Sequence, residues 1–352
     1  MSTEKFYKSK VRAIDVKSGK SISELLQEMG NTGFQGKNLA KAVQVYKNMI
    51  EDKNVTIFLG YAGSLSTTGQ WKIINWLIEN NYIDVLIPTG ANISEDIVEA
   101  MGFSYWQGKS TADDNELFKE GINRYYDVYG KESDYLEMTE LLAEFILTLD
   151  DSRNYTSREF LFECGKWLGN KNINSIVATA ARMNVPIFCP AIADSPYGDA
   201  ALIARSKGFN LTIDAIGDYV EFMQMGEKVT DTGVIYIGGG VPKDFIQLFA
   251  VTSDLLYKDR VVPNRQGGFN RKGTGDSETY YPHKYAIQIT TDSPQWGGLS
   301  GCTFDEAVSW GKETPEGQFI QCYCDATIGL PLISHALSEG IASSRKKPDL
   351  GY

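Results

Sequence analysis

A doubly wound α/β fold, with a mainly parallel sheet and helices on both faces, is what this 352-residue sequence predicts. Two observations carry the prediction. Short, β-branched apolar runs alternate with longer amphipathic stretches along the whole chain, and nearly every glycine-rich or small-polar stretch follows directly on one of those runs. The expected strands are "VTIFLG" (55–60), "DVLIP" (84–88), "VPIFC" (185–189), "LTID" (211–214), "VIYIG" (234–238), "YAIQIT" (285–290) and "FIQCYC" (319–324). Helical stretches are expected at 69–80, 135–149, 156–168, 172–183, 214–225, 242–255 and 326–339. In "WKIINWLI" the apolar residues recur at i, i+3, i+4 and i+7, the spacing of a helix laid on a sheet.

Two windows break the alternation. Residues 103–134 are polar and aromatic ("SYWQGK", "RYYDVYG"). Residues 257–284 are rich in glycine and turn formers and carry six basic residues (Lys258, Arg260, Arg265, Arg271, Lys272, Lys284) against three acidic ones (Asp259, Asp276, Glu278). This basic loop reads as a solvated surface insertion, a subunit contact or an active-site lid. The rest is organised as one domain over residues 1–352, with a short N-terminal segment (1–30).

Composition excludes several classes. A net charge of −11 disfavours a nucleic-acid surface, which needs clustered Lys and Arg. No apolar run is long enough to span a bilayer, and the polar N-terminus lacks the core of a signal peptide. Five scattered cysteines argue for a reducing compartment, and with two histidines in the chain no metal site is expected. A soluble, cytoplasmic protein is the expectation, and Cys322 and Cys324 are expected simply to pack.

In an open parallel sheet, ligands bind beyond the carboxyl ends of the strands. Six loops gather there: "YAGSLSTTG" (61–69), "TGANISED" (89–96), "AIADSPYGD" (191–199), "GGGVPKD" (238–244), "TDSPQWGGLSG" (291–301) and "DAT" (325–327). None is G-x-G-x-x-G. Glycines that admit a ligand to the backbone, free N–H groups at helix starts and the Ser/Thr-rich first loop together point to a nucleotide.

The block "DEAVSWGK" (305–312) is different. Thr303 and Glu306 have the spacing of a capping box, and Gly311 is suited to end the short helix that follows. Lys312 then leaves the helix beside Trp310. It reads either as a lysine complementing the helix dipole or as a nucleophilic amine that forms an imine, which requires burial to free it of its proton.

Taken together, "TGFQGKNLAKAV" (32–43), "TIFLGY" (56–61), "GINR" (121–124), the Asp-x4-Asp of "DSPYGD" (194–199), "GGGV" (238–241) and "DEAVSWGK" resemble the deoxyhypusine synthase family, from about residue 11 onward. The resemblance implies a Rossmann-like fold and an NAD-dependent transfer of an aminobutyl group from spermidine or a related polyamine. The group passes through an imine on an enzyme lysine to an acceptor amine, either a small diamine or a protein lysine. It further implies a homotetramer with active sites at subunit interfaces. Carried over, Lys312 is the imine-forming lysine, Trp310 lines an amine tunnel that Gly297 adjoins, and Glu306 and Asp199 anchor ammonium groups. Gly63, Ser64, Leu65, Ser66, Thr67, Thr89, Gly90, Ala91, Glu95, Asp194, Thr291, Asp292, Asp325 and Ala326 match cofactor-contacting positions.

The chain departs from the family at the amine site. Asp244 stands where the family carries a histidine, Leu299 where it carries an anchoring aspartate, and Ser94 replaces a glutamate. Asp244 is therefore expected to hold an ammonium in place of the missing anchor. A second reading, a catalytically reduced homologue that senses or assembles, stays open on Asp244 and Leu299.

Overall fold

The computed structural model describes residues 7–252, 282–341 and 345–352. Its centre is a five-stranded, all-parallel sheet. The strands are β1 (Val55–Tyr61), β2 (Val85–Pro88), β6 (Asp231–Ile237), β7 (His283–Thr290) and β8 (Glu313–Tyr323), in the order β2-β1-β6-β7-β8. Continuous β-branched runs suit strands covered on both faces, and all seven residues of β1 are buried. The expected strand at 185–189 runs beside β2 through the Leu86–Ile187 bridge, with Leu86 N–H donating to Pro186 O and Phe188 N–H to Leu86 O. Counted third in the chain, it makes the order 3-2-1-4-5-6, the doubly wound arrangement with its switch point between β1 and β6. The 211–214 stretch, also expected to be a strand, makes one bridge, Tyr155–Ile213, before Asp214 caps a helix.

Helices cover both faces. Trp71–Glu79, Glu132–Ile146, Ser157–Asn170, Ile176–Arg182, Ala215–Gln224 and Ala326–Gly340 lie where the periodicity placed them. Helices Phe34–Glu51 and Pro196–Ser206 were not among the expected elements. The first buries Leu39, Ala42, Val43, Tyr46, Met49 and Ile50 at helical spacing against the sheet. The aromatic window folds into a small antiparallel sheet of β3 (Trp106–Gln107), β4 (Ile122–Tyr125) and β5 (Val128–Lys131). Its β4–β5 hairpin turns on Tyr126 and Asp127, and Tyr126 takes a left-handed φ of 57°, as two-residue hairpins require.

Most of the basic loop lies outside the described residues. Its last two residues, His283 and Lys284, begin β7 instead, and Lys284 Nζ pairs with Asp52 (2.8 Å) and Asp231 (3.2 Å). Near the other end of the chain Arg345 is buried on Asp84, which has no exposed surface. Its guanidinium donates to both carboxylate oxygens (2.7 and 2.8 Å) and to the carbonyls of Val55 and Asn81. No helix among the described residues is long and apolar enough to cross a membrane.

Candidate active site

Two polar regions are built on this frame, and Gln288 joins them: its Oε1 accepts from Lys243 (3.0 Å), and its Nε2 donates to Gly238 O (2.8 Å) and Ser300 O (2.9 Å). The first lies at the carboxyl edge, over the switch point. The loops after β1 and β6 meet there: Ala62 N–H donates to Ile237 O (3.1 Å), and Gly63 and Gly238 hold φ of 83° and 75°, open to glycine. Asn92, fully buried, ties the next loop to the first. Its side-chain oxygen accepts from the N–H of Leu65 (2.7 Å) and Ser66 (3.3 Å). Its amino group donates to Tyr61 O (3.1 Å) and Thr89 Oγ1 (3.0 Å). Ser66 Oγ returns a bond to Asn92 O (2.6 Å), and Thr89 Oγ1 donates to Gly63 O (2.6 Å). Sequence reasoning missed Asn92, because its partners are joined only by the fold.

Ser64 donates to the buried Glu95 carboxyl, and Tyr105 donates to the Glu95 carbonyl (3.0 Å). Burial pushes the Glu95 carboxyl up to about 7, against the pull of Ser64. Gly90 lies so close to Ser195 that a Cβ has no room, which brings the 89–91 loop onto the loop holding Asp194 and Asp199. Both of those aspartates are exposed, Asp199 in the first turn of its helix. Farther along the edge, Asp292 accepts from Ser300 Oγ and Ser293 N–H (2.8 Å), which hold its carboxyl below the usual range. Asp325 caps Ala326–Gly340 through Thr327 N–H (2.7 Å). Thr291 and Gly297 are exposed, Gly297 at a φ of 72°. Cys322 and Cys324 bring their sulfurs to 3.6 Å.

The second region lies on a face of the sheet, toward the strand starts. Helix Phe304–Ser309 begins at Thr303, whose hydroxyl accepts from Glu306 N–H (3.1 Å). The expected reciprocal bond does not form: the Glu306 carboxylate is exposed, and the Cys302 thiol donates to Thr303 O (3.6 Å). The helix closes in a Schellman motif, with Gly311 N–H on Val308 O (2.9 Å), Lys312 N–H on Ala307 O (3.0 Å) and Gly311 at a φ of 77°. Lys312 O then accepts from His283 N–H (2.9 Å), the first residue of β7. Gly238 N–H bonds Ile289 O near the other end of that strand. About 20 Å of strand therefore separates the Lys312 backbone from the glycine loop.

The Lys312 side chain, 12% exposed, donates to Asp244 Oδ1 and Gln247 Oε1 (3.2 Å each), and its Nζ lies 5.6 Å from the Trp310 ring centre. Asp244 thus holds the enzyme's own lysine in the free chain, where sequence reasoning expected a substrate ammonium. Trp310 is 53% exposed. Beneath lies a buried polar layer that the sequence reading did not pick out. Lys243, 1% exposed, donates to Gln288 Oε1 (3.0 Å), Leu299 O (3.1 Å) and Cys302 O (2.8 Å). The position expected to hold an aspartate, Leu299, therefore contributes its carbonyl here. Gln247 and Glu313 are buried beside it, and burial lowers Lys243 and raises Glu313 to about 8. The available signal was polar residues, Lys243 and Gln247, at i and i+4 on a helix otherwise apolar toward the sheet.

Comparison with known proteins identifies the family. The family profile "Deoxyhypusine synthase" matches residues 24–337. "Probable deoxyhypusine synthase 2" of Methanosarcina acetivorans is 44% identical over 328 residues, covering 93% of this chain and 89% of the relative. Its namesake in Archaeoglobus fulgidus is 45% identical over 309 residues, 88% of this chain and 95% of that one. A crystal structure from Entamoeba histolytica, assigned as a deoxyhypusine synthase, superposes with a TM-score of 0.62 at 18% identity, over 96% and 99% of the two chains.

Proposed function

The chain belongs to the deoxyhypusine synthase family and is a transferase of that type, and we propose that it moves an aminobutyl group from spermidine or a related polyamine through an imine on Lys312, with NAD as cofactor. One observation carries the reading: a lysine shielded from water, held by a carboxylate and an amide, at the exit of a helix that also presents a half-exposed tryptophan and a free glutamate. A lysine placed only to complement a helix dipole has no need of that enclosure.

The carboxyl edge fits a dinucleotide. The switch-point crevice and the left-handed glycines at 63 and 238 let a ligand approach the backbone, in a loop that Asn92 holds rigid through the N–H groups of Leu65 and Ser66. Gly63 to Thr67, Thr89 to Ala91, Glu95, Asp194, Thr291, Asp292, Asp325 and Ala326 would hold it. NAD, when bound, supplies the two-electron oxidation of the carbon next to the amine nitrogen and its later reversal.

The chain's own residues do the rest. Trp310 offers a cation–π surface to an alkylammonium, and Glu306 and Asp199 offer carboxylates to its ends, since an unpaired ammonium out of water is costly. Once Lys312 has given up a proton to solvent, its amine bonds the activated carbon, the old carbon–nitrogen bond breaks, and the remaining diamine departs as a neutral amine. As substrate arrives, Asp244 exchanges Lys312 for a substrate ammonium, which frees the lysine at the moment it is needed. As the family resemblance implies, we infer that a second copy completes the site, in a homotetramer.

A small amine is the favoured acceptor, because two residues that differ from the family lie at the site: Asp244 holds Lys312, and Leu299 accepts from Lys243 in the layer beneath. The test gives purified protein NAD with spermidine, putrescine, agmatine and cadaverine, singly and in pairs, beside Lys312→Ala, and identifies products by mass spectrometry. A secondary amine that requires both NAD and Lys312 is expected. Product formed equally by Lys312→Ala overturns the imine, and no product from any pair, with NAD bound, favours a protein acceptor or a non-catalytic homologue.

A further inference from the structure

Gln247 is fully buried and has a carboxyl on one side and an ammonium on the other. Its Oε1 accepts from Lys312 Nζ (3.2 Å) and its Nε2 donates to Glu313 Oε1 (3.4 Å). The orientation is forced. A lysine has only donors, so the amide oxygen must face it, and the amino half then needs an acceptor, which Glu313 provides. Remove that carboxyl and the amide is free to turn over and oppose a donor to the lysine.

Glu313 itself has no exposed surface, and its Oε2 finds no hydrogen-bond partner among the described residues. The groups around it are known from each packed element. Helix Gly240–Thr252 brings Lys243, Asp244 and Gln247, β6 brings Tyr236, and β7 brings His283, in register with Glu313. Cys302 and Glu306 approach Lys243 from the loop and helix after β7. A carboxyl in such a place is expensive to bury, and its one hydrogen bond goes to the residue that holds Lys312.

We propose that Glu313 is a positioning residue for Lys312: through Gln247 it keeps an acceptor turned to the lysine nitrogen, and its own ionisation adds a second negative charge that tightens the lysine's hold on its proton. The proposal rests on Lys312 being the imine-forming residue. Below about pH 8 Glu313 stays neutral and Asp244 is the only carboxylate paired with the lysine. Above it, Glu313 ionises and sets a second negative charge beside the Lys312 side chain.

The test reads the lysine directly, without substrate or NAD. The full-length protein is treated with a small aldehyde and cyanoborohydride over a range of pH, and alkylation of Lys312 is followed by mass spectrometry of its peptide. Glu313→Gln keeps an acceptor for Gln247 but cannot ionise. Its labelling midpoint is expected about half a pH unit or more below the wild type, an approximately threefold faster reaction at pH 9. Rates near pH 6.5 should match, and Glu313→Asp should restore the wild-type curve in part. Superimposable curves for wild type and a folded Glu313→Gln overturn the proposal. Should that variant not fold, Gln247→Leu, which deletes the acceptor, decides in its place by the same downward shift or its absence. If transfer survives Lys312→Ala, the imine reading falls, whatever the labelling shows.

Discussion

At the carboxyl edge Asn92 makes four side-chain bonds, Ser64 holds Glu95, and Ser300 holds Asp292. On the lysine face Lys243 and Gln247 are bonded, but Glu313 Oε2 has no partner among the described residues, and the groups above, Glu306, Trp310 and half of Asp244, stand open to water. The loops of the carboxyl edge are tied together within one chain, while among the described residues nothing covers the lysine pocket. The contrast suits the two roles proposed above. A cofactor retained through the cycle needs a rigid seat, whereas a flexible polycation that enters and leaves needs carboxylates it can displace.

Substitutions can break the comparison by harming one region and sparing the other. Asn92→Ala has the largest expected effect on the fold. Leaving several loop groups unpaired should cost about 2–4 kcal/mol of stability, seen in chemical denaturation, and weaken NAD binding, while aldehyde labelling of Lys312 in the surviving folded protein is unchanged. Asp244→Asn does the reverse. Because Asp244 is 44% exposed, screening reduces the loss from that of a buried pair. About a tenfold fall in kcat/KM for the amine, roughly 1.4 kcal/mol, is expected, with NAD affinity intact. An unaltered kcat/KM would remove Asp244 from the site.

Glu95 sharpens the comparison through pH. Its folded carboxyl titrates at about 7 because of burial, above its ordinary 4.5. Between those values the folded chain keeps a proton the unfolded chain has released, so stability falls as pH rises through that window and levels off beyond it. Glu95→Gln should be more stable than wild type by about 1–2 kcal/mol at pH 8 and by little at pH 4.5. Parallel Tm curves for the two proteins would contradict the burial argument. The smallest effect belongs to Gly311→Ala. Forcing a Cβ into the left-handed region costs about 1 kcal/mol, lowering Tm by a few degrees and loosening the Schellman turn that aims Lys312.

The legible parts of the sequence were the local ones. The sheet strands follow their β-branched runs, and the glycine-rich loops fall on one edge as the strand–loop order required. Thr303 and Gly311 start and stop their helix as their chemistry directs. The 185–189 run was legible as extended chain but pairs only briefly, because it lies beside the short edge strand β2. The Glu306 bond to its cap does not form, and the carboxylate faces water, where it loses little by going without that bond. Helix Phe34–Glu51 had its signal in plain view, in the spacing from Leu39 to Ile50. Lys312 with Asp244, 68 residues apart, and Asn92 with its loop partners, about 26 residues away, are different. No local pattern encodes such meetings, which exist only once β1, β6 and β7 lie side by side.

The Arg345–Asp84 pair reaches furthest beyond the site. Asp84 sits just before β2, with no exposed surface, and also accepts from Ile57 N–H (2.7 Å) in the middle of β1. Until the ribosome has made residue 345, that carboxylate must stay hydrated, take up a proton or be buried alone, and stranding it costs about 3–5 kcal/mol. The first strands laid down thus lack this partner until residue 345 has emerged. A product cut short of Arg345 is marked by an unsatisfied charge at its centre.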